Sequence, residues 1–143
     1  MKRCIPTCAT VLCVVLLSSA HHLDAQTSLI VGSWHGTSTC VDKVHFPACH
    51  DEEVIYDVRV RPGTADTVDL RADKVVNGVR EFMGELVFVR HADGSWSAAL
   101  QGSRVPGRVE LAINGIAMTG RLLELPSERV IRRMSLRRVT VAK

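Results

Sequence analysis

Aromatic side chains are scarce in this chain of 143 residues, which carries two Trp, one Tyr and three Phe. Single-stranded nucleic acid is held by aromatics that stack on bases beside basic groups. The few rings here (Trp34, Phe46, Tyr56, Phe82, Phe88 and Trp96) fall mostly in strand-like runs, where packing would claim them. That scarcity excludes a nucleic-acid platform and argues equally against a carbohydrate platform. Charge of one sign is lacking too, with 18 basic against 15 acidic residues, so long-range attraction to nucleic acid is not expected. The apolar run near the N-terminus is shorter than the roughly 20 residues a membrane span needs. No sustained helical periodicity, internal repeat or low-complexity linker is present. Ser95 and Ser97 flank Trp96 without a G-x-S-x-G elbow around either serine. Glu81 and Glu85 fall on the polar side of a strand, and no pattern converges acids into a cleft. The chain is therefore expected not to be an enzyme and to need no cofactor.

What is present begins with an export signature. Lys2 and Arg3 precede the nearly wholly apolar residues 9–17, and small residues follow at Ser18, Ser19 and Ala20. That is the layout of a secretory signal peptide. Cleavage is expected after Ala20 or Ala25, so residues 1–25 are assigned to the signal and 26–143 to one domain. Cys4, Cys8 and Cys13 lie before or inside the apolar run, whereas a lipoprotein cysteine lies just after it. Removing Lys2, Arg3 and Asp24 leaves 16 basic and 14 acidic residues, a net charge of +2. Cys40 and Cys49 remain as a pair, which in an oxidising compartment reads as a disulfide. Closing so short a loop is worth about 2.5–3 kcal/mol on the entropic account. Their spacing is not a zinc pattern, where two to four residues separate each pair. The protein is thus expected in the periplasm or secreted.

The body of the chain alternates with period two, the mark of half-buried strands. Val54, Tyr56, Val58 and Val60 share one face, opposite Asp57, Arg59 and Arg61. Val68, Leu70 and Ala72 alternate with Asp69, Arg71 and Asp73. The same holds for Val109, Leu111 and Ile113, and for Met134 and Leu136. Asn77-Gly78, Asp93-Gly94 and Asn114-Gly115 are hairpin signals, because type I′ turns need positive φ at both central residues. Pro62-Gly63 and Pro106-Gly107 mark further turns. Pro126 breaks the one stretch, residues 122–133, that could be forced into a helix. These signals predict an all-β chain of about eight strands, near 29–40, 52–61, 66–75, 79–91, 95–101, 107–114, 116–125 and 128–141. With short links throughout, an up-and-down antiparallel barrel is the expected closure.

Gly32-Ser33-Trp34 on the first strand of such a meander resembles the G-x-W signature of the calycins, the lipocalin-like barrels. The resemblance implies a tryptophan packed across the closed end, with a basic side chain from the last strand over its face. Arg132 and Arg138 share the side of Met134 and Leu136, so either could serve. It also implies a binder of a small apolar molecule inside the barrel. The inward phase offers Trp34, Tyr56, Phe82, Phe88, Trp96, Leu111, Met118, Met134 and Arg132 as cavity candidates. Small residues in the same phase (Gly36, Ser38, Gly84, Ala98, Gly120) could open a cavity or mark close strand crossings; a filled or nearly filled barrel is the slightly favoured expectation. Small periplasmic inhibitors of enzymes share the same broad features, so the alternative is a protein-interaction module acting through the Cys40–Cys49 loop and hairpin tips. A third reading places a divalent metal at His45, His50 and Asp51, although no recognised ligand spacing is present.

Overall fold

Turn chemistry and the two-residue period organise the chain into eight strands: β1 (Gly32–Cys40), β2 (Glu52–Val60), β3 (Thr67–Val76), β4 (Val79–Arg90), β5 (Trp96–Leu100), β6 (Gly107–Asn114), β7 (Ala117–Glu124) and β8 (Arg129–Arg138). They are seen in a computed structural model that describes Thr27, residues 29–102 and residues 105–140. The expected signal segment, with both cleavage points, lies outside the described residues. Each strand pairs antiparallel with the next, and β8 returns to β1, closing an up-and-down barrel. The expected fold class is the observed one, and strand limits agree to within a few residues.

The turns differ from expectation in detail. Asn77 and Gly78 both take positive φ, 52° and 77°, between the paired Val76 and Val79, as a two-residue hairpin of type I′ requires. On the β6–β7 hairpin, Asn114 pairs with Ala117, so the central residues are Gly115 and Ile116 rather than Asn114 and Gly115. Only Gly115 there has positive φ, which suits a type II′ turn. The chain also enters β1 later than expected. A helical turn that includes Leu29 and Ile30 precedes it, and Ile30 is fully buried against the barrel core.

That turn and β8 explain the G-x-W triplet physically. Trp34 is fully buried, and its indole Nε1–H donates to the Ile30 carbonyl at 2.8 Å. The Arg138 guanidinium lies 4.4 Å from the Trp34 ring centroid. It also donates to the carbonyls of Val31, at 2.6 Å, and Leu29. Gly32 has φ +133°, a conformation L side chains rarely adopt, and a Cβ there would stand 2.6 Å from Arg138 Nη1. The glycine thus turns the chain and leaves room for the arginine. Of the two arginines offered by the last strand, register selects Arg138, which pairs with Trp34. Arg132 pairs with Cys40 at the other end of β1, about 20 Å away along a strand.

Outside the barrel, charges are arranged in pairs. Asp73 is almost wholly buried beneath Arg71 and Arg80, and Arg80 also reaches Asp57. Burial pushes the Asp57 carboxyl up, but hydrogen bonds from Ser33 and Arg80 outweigh it and hold the group below its ordinary value. Glu110 is held low in the same way, burial being outweighed by Arg121 and Arg108.

Two outcomes are expected. Replacing Arg138 by Leu removes the cation over Trp34 and leaves the Val31 and Leu29 carbonyls without their donor. Urea unfolding should then show a loss of about 2–3 kcal/mol. Carboxyls whose folded pKa lies below the unfolded value stabilise the fold above the unfolded pKa and lose that contribution as pH falls through the folded one. Stability should therefore decline on acidification below about pH 4. Asp57→Asn should make the decline shallower, which chemical denaturation across pH would detect.

Candidate functional site

The inward-facing residues do two different jobs along the barrel axis. At the Trp34 end they pack solidly: Trp34, Trp96, Leu111, Met118 and Leu136 are all buried to within 2% of full exclusion. The other end holds a cavity of about 260 Å³. Its wall is apolar, built from Leu70, Ala72, Leu86, Phe88, Val109 and Met134 among others, and its polar side consists of Ser38, Glu52, Tyr56 and Arg132.

Glycines show why the two halves differ. A Cβ on Gly36 would collide with the Ser135 carbonyl oxygen and stand 2.6 Å from Leu136 Cα. One on Gly120 would meet Leu111 Cδ2 at 2.6 Å and the Glu110 carbonyl oxygen at 2.9 Å. These glycines mark close approach of strands. A Cβ on Gly84 would meet nothing within 4 Å. Gly84 pairs with Ala72 across β3 and β4, so two small side chains face one another and leave the space empty. The barrel wall also loosens here. β4 and β5 pair only at Val89↔Ser97 and Arg90↔Trp96, and the ladder gives out beside the cavity-lining Leu86 and Leu100. The slightly favoured expectation of a filled barrel therefore holds for one half only.

Several sequence-predicted residues reach the cavity: Tyr56, Phe88, Met134 and Arg132. Trp34, Trp96, Leu111 and Met118 instead belong to the packed end. The expectation for Phe82 is corrected. The β3–β4 register shifts between Ala72 and Asp73, so Asp73 pairs with Phe82 and the inward phase slips by one residue. Phe82 therefore stands 58% exposed outside the barrel, beneath the Arg71 guanidinium, and Met83 lines the cavity in its place.

Arg132 organises the polar side. Its Nε donates to Ser38 Oγ at 2.8 Å, and its Nη1 reaches Cys49 Sγ at 3.3 Å. Its Nη2 serves the Ser38 and His50 carbonyls and the Glu52 carboxylate, the last at 2.8 Å. Every nitrogen of the guanidinium is engaged, and its charge is balanced by Glu52. Arg132 thereby ties the Cys40–Cys49 loop, whose sulfurs are bonded, to the barrel mouth. The pairing expected from composition is thus present, as it would be in an oxidising compartment. Sequence reasoning missed Glu52 as the partner of Arg132, although Glu52 shares the inward phase of Val54 and Tyr56.

Tyr56 is left differently. Only 8% of it is exposed, and its hydroxyl makes no hydrogen bond to any described residue. Burial raises its pKa to about 12, further above neutral pH than an ordinary phenol, and the residue lines the cavity as a neutral donor. The residue is buried as a whole, while its unbonded hydroxyl oxygen stays accessible, free to meet a water or a ligand atom.

The polar loop does not gather its histidines around an ion. His45 pairs with Asp42 at 2.9 Å. Asp51 accepts from the Cys40 amide at 2.8 Å, and that bond is the main cause holding its carboxyl below the usual range. His50 contributes its carbonyl to Arg132. Among the described residues no group of three or more His, Cys, Asp or Glu is placed to hold a metal ion. On the outer surface, His91 Nε2 lies 2.7 Å from Ser97 Oγ, while Asp93 bonds the amide and hydroxyl of Ser95.

No model of a known protein family matches this chain, and no curated protein matches it. The site must therefore be read from its own chemistry.

Replacing Arg132 by Gln would leave Glu52 uncompensated and release the disulfide loop from the wall. Thermal or urea unfolding should register a loss of about 2–4 kcal/mol, with the Cys40–Cys49 bond still intact by mass.

Proposed function

We propose that this protein is an exported, non-catalytic binding protein of calycin type that holds a small apolar molecule in the open half of its barrel. The observation that carries this reading is the apolar cavity at Gly84 and Ala72, in a fold whose other half is packed solid. Small-molecule sites are concave and mainly apolar, with a few convergent polar groups. Supporting the calycin assignment are the strand order, the buried Trp34 on β1 and the β8 arginine over its ring. Export is supported by the basic-then-apolar N-terminal pattern and by the cysteine pair.

A second reading, an interaction or inhibitor module, draws on one observation. The Cys40–Cys49 loop presents Val44 at 88% and Val41 at 49% exposure, and both bond and guanidinium hold the loop in shape.

Filling the cavity separates the readings. Gly84 lies inside a strand and has no positive φ, so Gly84→Val suits the backbone. Valine should raise stability by about 0.5–1 kcal/mol while occupying the ligand's space. Native mass spectrometry of the protein purified gently from its own host is expected to show a non-covalent small molecule on the wild type and little or none on Gly84→Val. A bare wild-type mass would count against the ligand reading. Capture of a protein that survives Gly84→Val and disappears when Val41 and Val44 become Ser would favour the second.

A further inference from the structure

We infer that the cavity selects an uncharged ligand, an apolar body of about ten non-hydrogen atoms bearing one hydrogen-bond acceptor that meets the Tyr56 hydroxyl, and that it discriminates against carboxylates. This rests on the proposed reading of the cavity as the binding site and specifies what that site takes.

Size comes first. A dry protein cavity of about 150 Å³ holds a benzene ring, so 260 Å³ accommodates about ten non-hydrogen atoms by proportion. Charge comes next. Glu52 and Arg132 are the only ionisable acid and guanidinium among the cavity-lining residues, and they are bonded to each other at 2.8 Å. An arginine that captures a carboxylate needs donors to spare, usually two parallel ones. Arg132 directs its nitrogens to Ser38, Cys49, His50 and Glu52, which leaves one Nη1 N–H and no parallel pair of free donors. A second carboxylate arriving beside Glu52 would meet a like charge with no free cation to offset it. Polarity comes last. Tyr56 is more than nine-tenths buried, lines the cavity and has no partner among the described residues. A phenol is neutral at pH 7.5, so it offers a neutral donor to a carbonyl, ether or hydroxyl oxygen. Ser38 Oγ accepts from Arg132, which leaves its own proton as a second donor nearby.

Three probes of nearly equal size test this by isothermal titration or chemical-shift titration at pH 7.5. Butyrophenone has an acceptor and no charge, butylbenzene lacks the acceptor, and 4-phenylbutyrate carries a carboxylate. Wild-type protein is expected to bind butyrophenone about five- to tenfold more tightly than butylbenzene. It should bind 4-phenylbutyrate at least about tenfold more weakly than butyrophenone. Tyr56→Phe should erase the ketone's advantage and leave butylbenzene unchanged. Glu52→Gln frees the Arg132 charge and should narrow the gap between carboxylate and ketone. The wild-type ranking stands by itself if either variant folds poorly. Equal or tighter binding of 4-phenylbutyrate by the wild type, or a ketone advantage that survives Tyr56→Phe, would overturn the inference and leave the cavity reading in place. Absence of binding by all three probes to folded wild type would overturn both.

Discussion

Closure of the sheet between β1 and β8 is the constraint on which the rest of this barrel depends. Gly36 allows it: its backbone lies so near Ser135 and Leu136 that no side chain could stand between them. Closing the sheet removes the free edges that would otherwise pair with other chains. It also fixes which residues of the first and last strands face one another. In that register Trp34 pairs with Arg138 and Cys40 with Arg132. Both arginines point inward from the same strand, six residues apart, and so each serves one end of the barrel. Arg138 covers the tryptophan at the packed end. Arg132 ties down the disulfide loop at the open end.

The two ends obey different energetics. At the packed end, large buried side chains interlock with glycines that admit close backbone approach, and each gap there would cost contacts. At the open end the alternation slips at the β3–β4 bulge, Gly84 and Ala72 face each other and the β4–β5 ladder stops after two pairs. A strand glycine with empty space around it forgoes both packing and backbone rigidity. Such a local loss of stability is common where a site must stay open.

Most of the fold was legible from period-two alternation and turn residues, because both depend on the local chain alone. The Asn77-Gly78 hairpin formed where its φ requirement placed it. What escaped was non-local. The bulge at Ala72 and Asp73 reversed the sides of Phe82 and Met83, and nothing in the alternation of β4 announces it. The choice of Arg138 over Arg132 depends on barrel register, which closure sets and periodicity does not. Gly36, Gly84 and Gly120 are alike in sequence phase, yet two mark crowding and one marks a void. The distinction rests on what the neighbouring strands carry. Glu52 was visible in phase with Val54 and Tyr56, but a charged residue at a strand's start reads as solvated until its partner is known.

The polar side of the cavity then has a consistent logic. Holding a loop over a barrel mouth calls for a donor-rich side chain, and a guanidinium serves carbonyls on several segments at once. Left alone, such a group would also place a positive charge beside an apolar cavity and draw anions to it. Glu52 removes that charge while adding one more tie, so the structural duty of Arg132 is separated from ligand attraction. Partly buried pairs of this kind add little net stability, which fits a role in arranging the mouth. With Arg132 and Glu52 occupied with each other, the hydrogen-bonding capacity left for an occupant rests with the Tyr56 hydroxyl and the Ser38 proton. The chemistry open to an occupant is thus set less by the charges at the mouth than by their mutual cancellation.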